Sequence, residues 1–185
     1  RVTLFLPGRL TEWKGQLVAI EALGLMSVEE LRKLVLVLAG DPQGRANYVT
    51  RLEDAILEHK LGGTVLLAEH EGDMPAACLA SDIVMTPSIR PEAFGRVAAE
   101  ASAMGRPVIV ADHGGGRETV IEGETGARVE PGSPAALAGA IRALLDVGPS
   151  ARAGMGKAGQ AHVQAHFSKR GLQAATLNVY KRLLE

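Results

Sequence analysis

At 185 residues the chain is long enough for one domain with a full-sized core. Lys plus Arg at 20 against Asp plus Glu at 21 excludes the basic surface that general nucleic-acid or anionic-membrane binding requires, and aromatics at 3% are too few for a base-stacking platform. The single cysteine, Cys78, excludes an internal disulfide and a cysteine-rich zinc site and suits a reducing cytosol.

In chain order, six short apolar runs read as strands: 2–6, 34–39, 64–68, 82–86, 107–111 and 126–130. Most are apolar throughout, the pattern of strands covered on both faces. Helical patterns lie between them at about 14–26, 45–60, 74–80, 94–104, 116–122 and 134–147. Such alternation predicts an α/β, Rossmann-like, doubly wound parallel sheet with helices on both faces. Two further helices are expected at about 151–166 and 169–184, the last with an apolar stripe of Leu172, Ala175, Val179 and Leu183. No apolar run approaches the ~20 residues of a membrane span, and no signal-peptide pattern is present. The chain opens on Arg1 and enters a strand-like run at once, which reads as a piece of a longer protein.

Ligands of open parallel sheets bind beyond the carboxyl ends of the strands. After the first strand stands PGRLTEWKG, in which Gly8 permits close backbone approach and Arg9 and Lys14 bring two cations to the strand exit. An arginine fork and a mobile lysine suit phosphate oxygens. The same residues also fit an ordinary solvated loop with Thr11 capping a helix.

PEAFGRVAAE, residues 91–100, carries two acids, Glu92 and Glu100, around a helix start expected near Phe94. The free N–H groups of Phe94, Gly95, Arg96 and Val97 would favour an anion, pyrophosphate above all. Carboxylates repel phosphate and accept from hydroxyls. A nucleotide sugar, with diphosphate between two hydroxyl-rich groups, satisfies both features. Alternatively, Glu100 is paired internally or faces solvent and Glu92 is a loop residue. The surrounding Ala and Val make Glu100 look largely buried and in need of a partner. His162 and His166 read as a solvated helix face rather than a metal site, Cys78 as packing, and His113 as a turn residue or a donor contact.

The segments GRLTEWKG, LVLAGD, ASDIVMTPS, PEAFGRVAAEASAMGRPVI and GGGRETVIEGETGARVEPGSPAALAGAI resemble, in that order, the carboxy-terminal donor-binding domain of retaining GT-B glycosyltransferases of family 4, the group 1 transferases. The resemblance implies that Arg9 and Lys14 bind the donor diphosphate above Gly8. It assigns Glu92 to hydroxyls of the transferred sugar and Glu100 to the ribose. Backbone N–H groups of Phe94, Gly95, Arg96 and Val97 contact sugar and phosphate, and the base lies near Ala68 to Met74. The GGGRE loop, residues 114–118, lies near the donor side, with no catalytic part for Glu118. Glu92, Arg9 and Lys14 are the expected catalytic set. The resemblance implies that no metal or other cofactor is needed, and the sequence agrees in having no DxD motif; the substrate implied is a UDP-, GDP- or ADP-sugar.

The expected division is a donor domain over 1–168 and a helix over 169–185 that returns toward an absent acceptor domain, folds on its own body or forms a homodimer. The expected acceptor is a glycan or lipid-linked glycan of bacterial envelope or lipopolysaccharide assembly. The isolated chain is expected to bind donor but not transfer. The location implied is cytoplasmic, with peripheral attachment to the inner membrane as an option for the whole protein. Rivals are a GT-B nucleotide-sugar epimerase and a non-catalytic binding module. A nicotinamide dehydrogenase is disfavoured by the lack of G-x-G-x-x-G after the first strand.

Overall fold

The computed structural model describes residues 1–184, so Glu185, the end of the expected last segment, lies outside the described residues. Six strands form one parallel sheet: β1 (Val2–Pro7), β2 (Leu34–Ala39), β3 (Val65–Ala68), β4 (Ile83–Thr86), β5 (Val108–Ala111) and β6 (Gly126–Val129). Their order is β3-β2-β1-β4-β5-β6, so the chain winds outward from β1 and then restarts at β4 in the other direction. The expected doubly wound architecture is what forms. Its switch point falls between β1 and β4, which pair through Leu4 with Ile83 and Phe5 with Val84.

The apolar strands supply two cores. Leu4, Leu6, Leu36, Leu38, Met85 and Ile109 face α1 (Gln16–Gly24), α3 (Ala46–Glu58) and α7 (Pro134–Asp146). Phe5, Val84, Val108 and Val110 face the opposite way, onto α4 (Met74–Ala80) and α5 (Arg96–Ala103). Side chains alternate between faces along a strand, so a strand apolar at every position has both faces covered. Each fully buried Leu or Ile contributes roughly 1.5–3 kcal/mol.

Two glycines move helix starts away from their expected positions. Gly15 is left-handed at φ +80°, and an added Cβ would stand 2.2 Å from the Pro87 carbonyl oxygen. The expected helix from 14 is therefore a separate 3-10 turn, Glu12–Lys14, followed by α1. Gly95 at φ +74° likewise starts α5 at Arg96 rather than Phe94. A short helix, α2 (Val28–Leu31), was not expected, although Ser27 and Glu30 form the capping box that starts it. The remaining helices are α6 (Gly116–Thr119), α8 (Gly148–His166) and α9 (Lys169–Leu184).

α8 braces α5. Gly156 packs so closely that a Cβ there would lie 1.9 Å from the Gly105 carbonyl oxygen, and Gln160 Nε2 donates to the Ala103 carbonyl at 2.8 Å. α9 has no buried residue; Leu172 and Leu183 of its stripe are 70% and 76% exposed. The stripe does not fold onto the chain's own body, which corrects that one of the expected alternatives. Among the described residues no helix is long and apolar enough to cross a membrane.

Candidate functional site

The switch point opens into a cleft of about 700 Å³ between the loops that leave β1 and β4. One wall holds Gly8, Arg9, Trp13 and Lys14, and another Glu92, Phe94, Gly95, Arg96, Val97 and Glu100. Asp41, Gln43, His70, Glu71 and Met74 close the far end, beyond β2 and β3. Gly8, Arg9, Lys14, Glu92, Phe94, Gly95, Arg96, Val97 and Glu100 therefore line one cavity, and of the span expected near the base, Ala68 to Met74, His70, Glu71 and Met74 reach it.

The β1 exit is tightly constrained. Gly8 donates from its N–H to the Ala39 carbonyl at 2.9 Å, and Gly40 lies against it so closely that a Cβ at Gly40 would stand 1.9 Å from the Gly8 carbonyl oxygen. The Lys14 side chain runs over Gly8 to place Nζ 2.9 Å from Glu92 Oε1; the two side chains are 14% and 19% exposed. Nζ also lies 4.4 Å from the Trp13 ring centroid, and the Arg9 guanidinium lies 5.6 Å from it. The indole thus gathers both cations by its electron-rich face.

At the opposite wall, the N–H groups of Phe94, Gly95, Arg96 and Val97 have no partner among the described residues; the first turn of α5 closes with Ala98 donating to the Gly95 carbonyl at 3.0 Å. These unsatisfied donors line a cleft that also carries the cations Arg9, Lys14 and Arg96 and the acids Asp41, Glu71, Glu92 and Glu100, so the groups able to accept an anion are concentrated at the β1 exit and the start of α5.

The glycine triplet sits behind this wall. Gly115 donates to the Glu92 carbonyl at 2.9 Å, and Cβ atoms at Gly114 and Gly115 would stand 2.4 Å from the Glu92 carbonyl oxygen and 2.3 Å from that of Phe94. Only bare backbone lets the two loops approach so closely. Ser88 Oγ donates to Glu92 Oε1, and His113 Nε2 donates to the Ser88 carbonyl at 2.8 Å. His113 therefore stands behind Glu92 and does not line the cleft.

Glu100 departs from expectation. The buried face of α5 is Ala98, Ala99, Ala101 and Ser102, whereas the Glu100 side chain is 40% exposed at the cleft edge and pairs with Arg96 at 3.2 Å, one turn back. The i,i+4 geometry of the helix supplies this partner. The acid is thus paired internally, and it also borders the cavity. Cys78 is buried beneath α5; burial first, and the Glu100 charge second, push its thiol up to about 11, as packing predicts.

His166 is exposed, as expected of a solvated helix face, whereas His162 is only part-exposed. Its Nε2 donates to the Glu118 carbonyl at 3.0 Å, and its ring packs 4.8 Å from His166 and 5.6 Å from Phe167, which itself lies 5.5 Å from Phe94. Among the described residues no group of three His, Cys, Asp or Glu side chains converges as metal ligands.

The sequence pattern of the family described as Glycosyl transferases group 1 matches residues 1–162. The chain belongs to that family. It is similar to the D-inositol 3-phosphate glycosyltransferase of Corynebacterium glutamicum, 38% identical over 144 residues, covering 75% of this chain and 34% of the relative. Among solved structures, a glycosyltransferase from Rickettsia africae superposes with TM-score 0.89 at 31% identity, over 100% of this chain and 48% of that one. Anabaena Alr3699/HepE in complex with UDP-glucose superposes with TM-score 0.88 at 28% identity, over 98% of this chain and 49% of that one. The chain spans about a third of the curated relative and about half of the two structures, and its fold matches one half of a GT-B glycosyltransferase.

In this group 1 transferase domain three residues take part in the site beyond those expected there. Trp13 carries a usable signal within TEWKG, an aromatic next to a lysine at a strand exit in a chain with a single Trp. Ser88 lies four residues before Glu92 in the same loop, a spacing that carries no signal by itself, and His113 reaches Ser88 only through the β4–β5 adjacency.

Proposed function

We propose that this chain is the donor-binding half of a retaining, family 4 glycosyltransferase that takes a nucleoside diphosphate sugar. The convergence of two cations and four free backbone N–H groups on one cleft, flanked by Glu92 and Glu100, carries the reading. In this assignment Arg9, Lys14 and the start of α5 hold the diphosphate. Glu92 accepts from hydroxyls of the transferred sugar, Glu100 accepts from the ribose, and the base lies toward His70, Glu71 and Met74.

As the glycosidic bond breaks, negative charge grows on the leaving diphosphate. Fixed donors already aimed at it stabilise that charge without having to reorganise. Lys14 must exchange Glu92 for phosphate when donor enters. Ser88 keeps hold of Glu92 meanwhile, so the freed carboxylate stays turned toward the sugar. The acceptor hydroxyl then attacks the face from which the diphosphate departs and gives its proton to the departing phosphate oxygen, and configuration is retained. The reading assigns the phosphate charge to protein cations and backbone N–H groups, with no metal in a named role.

The acceptor is assigned to the other half of the whole enzyme, toward which α9 (169–185 in the expected division) would return. This 185-residue chain then binds donor and transfers nothing on its own. Envelope or lipopolysaccharide glycan assembly is the pathway class we assign, in the cytoplasm or at the inner face of its membrane, on the resemblance of DMPAA and DHGGGRE. UDP is the first nucleotide to try, because the similar Anabaena protein is seen with UDP-glucose.

The test is calorimetric titration of this chain with UDP, GDP and ADP. Saturable binding of one of them with unit stoichiometry supports the reading; no binding of any overturns it. Product analysis separates the rivals: an epimerised nucleotide sugar would replace transfer with epimerisation.

A further inference from the structure

Gln16 opens α1, and none of it reaches solvent. A buried amide is costly unless its polar ends are bonded. Here Nε2 donates to the Arg9 carbonyl at 2.9 Å, and Oε1 accepts from the Tyr48 hydroxyl at 3.2 Å. Tyr48 comes from α3 and is itself buried; burial pushes its phenol up to about 12, so it is a proton donor throughout the neutral range. The Arg9 carbonyl can only accept, so the NH2 end of the amide must face it, which leaves Oε1 to accept from the phenol.

On either side of Arg9 the loop is held by backbone hydrogen bonds: Gly8 N–H to Ala39 at 2.9 Å and Leu10 N–H to Asp41 at 3.1 Å. Between those two points the Arg9 carbonyl is the one group whose partner is a side chain. An apolar residue at position 16 would serve the contact between α1 and α3, where Ile20, Leu23 and Leu52 already pack. The amide adds two directional bonds that an apolar residue could not make, one to Tyr48 and one to the Arg9 carbonyl.

We propose that Gln16, braced by Tyr48, is a positioning residue for diphosphate recognition: it fixes the backbone at Arg9 so that Gly8 and Arg9 stand where the phosphates must be met. This rests on the donor reading of the cleft. The position of the loop, rather than the mere presence of Arg9, then sets how much phosphate adds to affinity.

The test takes whichever of UDP, GDP and ADP the wild-type chain binds most tightly, together with its parent nucleoside. Both are titrated into wild type, Gln16→Met and Tyr48→Phe. Losing a hydrogen bond of this kind should weaken the diphosphate by roughly 3- to 10-fold in Gln16→Met, and by less in Tyr48→Phe, with nucleoside affinity unchanged. A purely structural role lowers melting temperature and shifts both ligands together or neither. Equal loss for diphosphate and nucleoside, or unchanged affinity for both, overturns the inference while leaving the donor reading standing. Wild type that binds no diphosphate overturns both. If Gln16→Met does not fold, Tyr48→Phe carries the test alone by the same criteria.

Discussion

Lys14 and Glu92, from loops on opposite sides of the switch point, form an ion pair at 2.9 Å inside the cleft. In the proposed assignment the first belongs to phosphate and the second to the sugar. Each therefore keeps the other satisfied until donor arrives, at the cost of one contact that donor must replace. Their removal should have opposite effects on a ligand that lacks the sugar. Lys14→Met should weaken UDP by roughly 10- to 100-fold, the range for a lost hydrogen bond to a charged group. Glu92→Gln frees Lys14 and should leave UDP binding equal or tighter. Calorimetry of both variants checks this, and equal weakening by the two would contradict it.

Glu100 is paired with Arg96 on the exposed side of α5, so its removal leaves no buried charge behind. Glu100→Ala should weaken UDP by roughly 10- to 100-fold. The loss should not add to that of removing the ribose hydroxyl from the ligand. Titrating 2′- and 3′-deoxy UDP into wild type and variant completes the double cycle; full additivity for both analogues would remove Glu100 from the ribose.

Gly115 and Gly139 should respond in opposite directions to the same methyl group. At Gly115 a Cβ would stand 2.3 Å from the Phe94 carbonyl oxygen, so Gly115→Ala must push the α5 entrance aside and should lower both melting temperature and UDP affinity. Gly139 lies exposed in α7 with nothing within 4 Å of an added Cβ, so Gly139→Ala should be neutral or stabilising by about 0.5–1 kcal/mol and leave UDP affinity alone. Thermal denaturation with and without UDP reads both.

Glu30 links α2 to α7. Its carboxylate accepts from Arg142 Nε at 2.7 Å and from the Ser27 N–H. The Arg142 hydrogen bond first, and the Ser27 backbone second, lower its pKa from 4.5 to about 2. A carboxyl with a depressed folded pKa adds stability that is full above its unfolded value and disappears as pH falls through the folded one. The gap between wild type and Glu30→Gln should therefore be constant above pH 4.5 and close between pH 4.5 and about 2. The pair is part-exposed, so the gap is modest. Urea denaturation across that range measures it.

The sheet was legible because runs such as LVLVLA and PVIVA are apolar at every position, which only a strand covered on both faces explains. Helix starts at Gln16 and Arg96 were misread by two residues, since Gly15 and Gly95 are left-handed and the apolar pattern runs on past them. The chemical types at the site, two cations and two acids around a helix mouth, could be read from PGRLTEWKG and PEAFGRVAAE. Who pairs with whom could not. Lys14 meets Glu92 because β1 and β4 are neighbours, and Gln16 meets Tyr48 because α1 packs on α3. Glu100 lies on the face that Arg96 marks one turn earlier, away from the buried Ala98, Ala99, Ala101 and Ser102, and the alanines next to it in sequence hide that spacing.

The most direct measurement is a crystal structure of this chain with UDP. The account predicts the diphosphate against the N–H groups of Gly95, Arg96 and Val97, with Lys14 Nζ moved off Glu92 onto a phosphate oxygen and Glu100 on a ribose hydroxyl. Nucleotide bound elsewhere, or bound here with the Lys14–Glu92 pair intact and no phosphate at the start of α5, would contradict it.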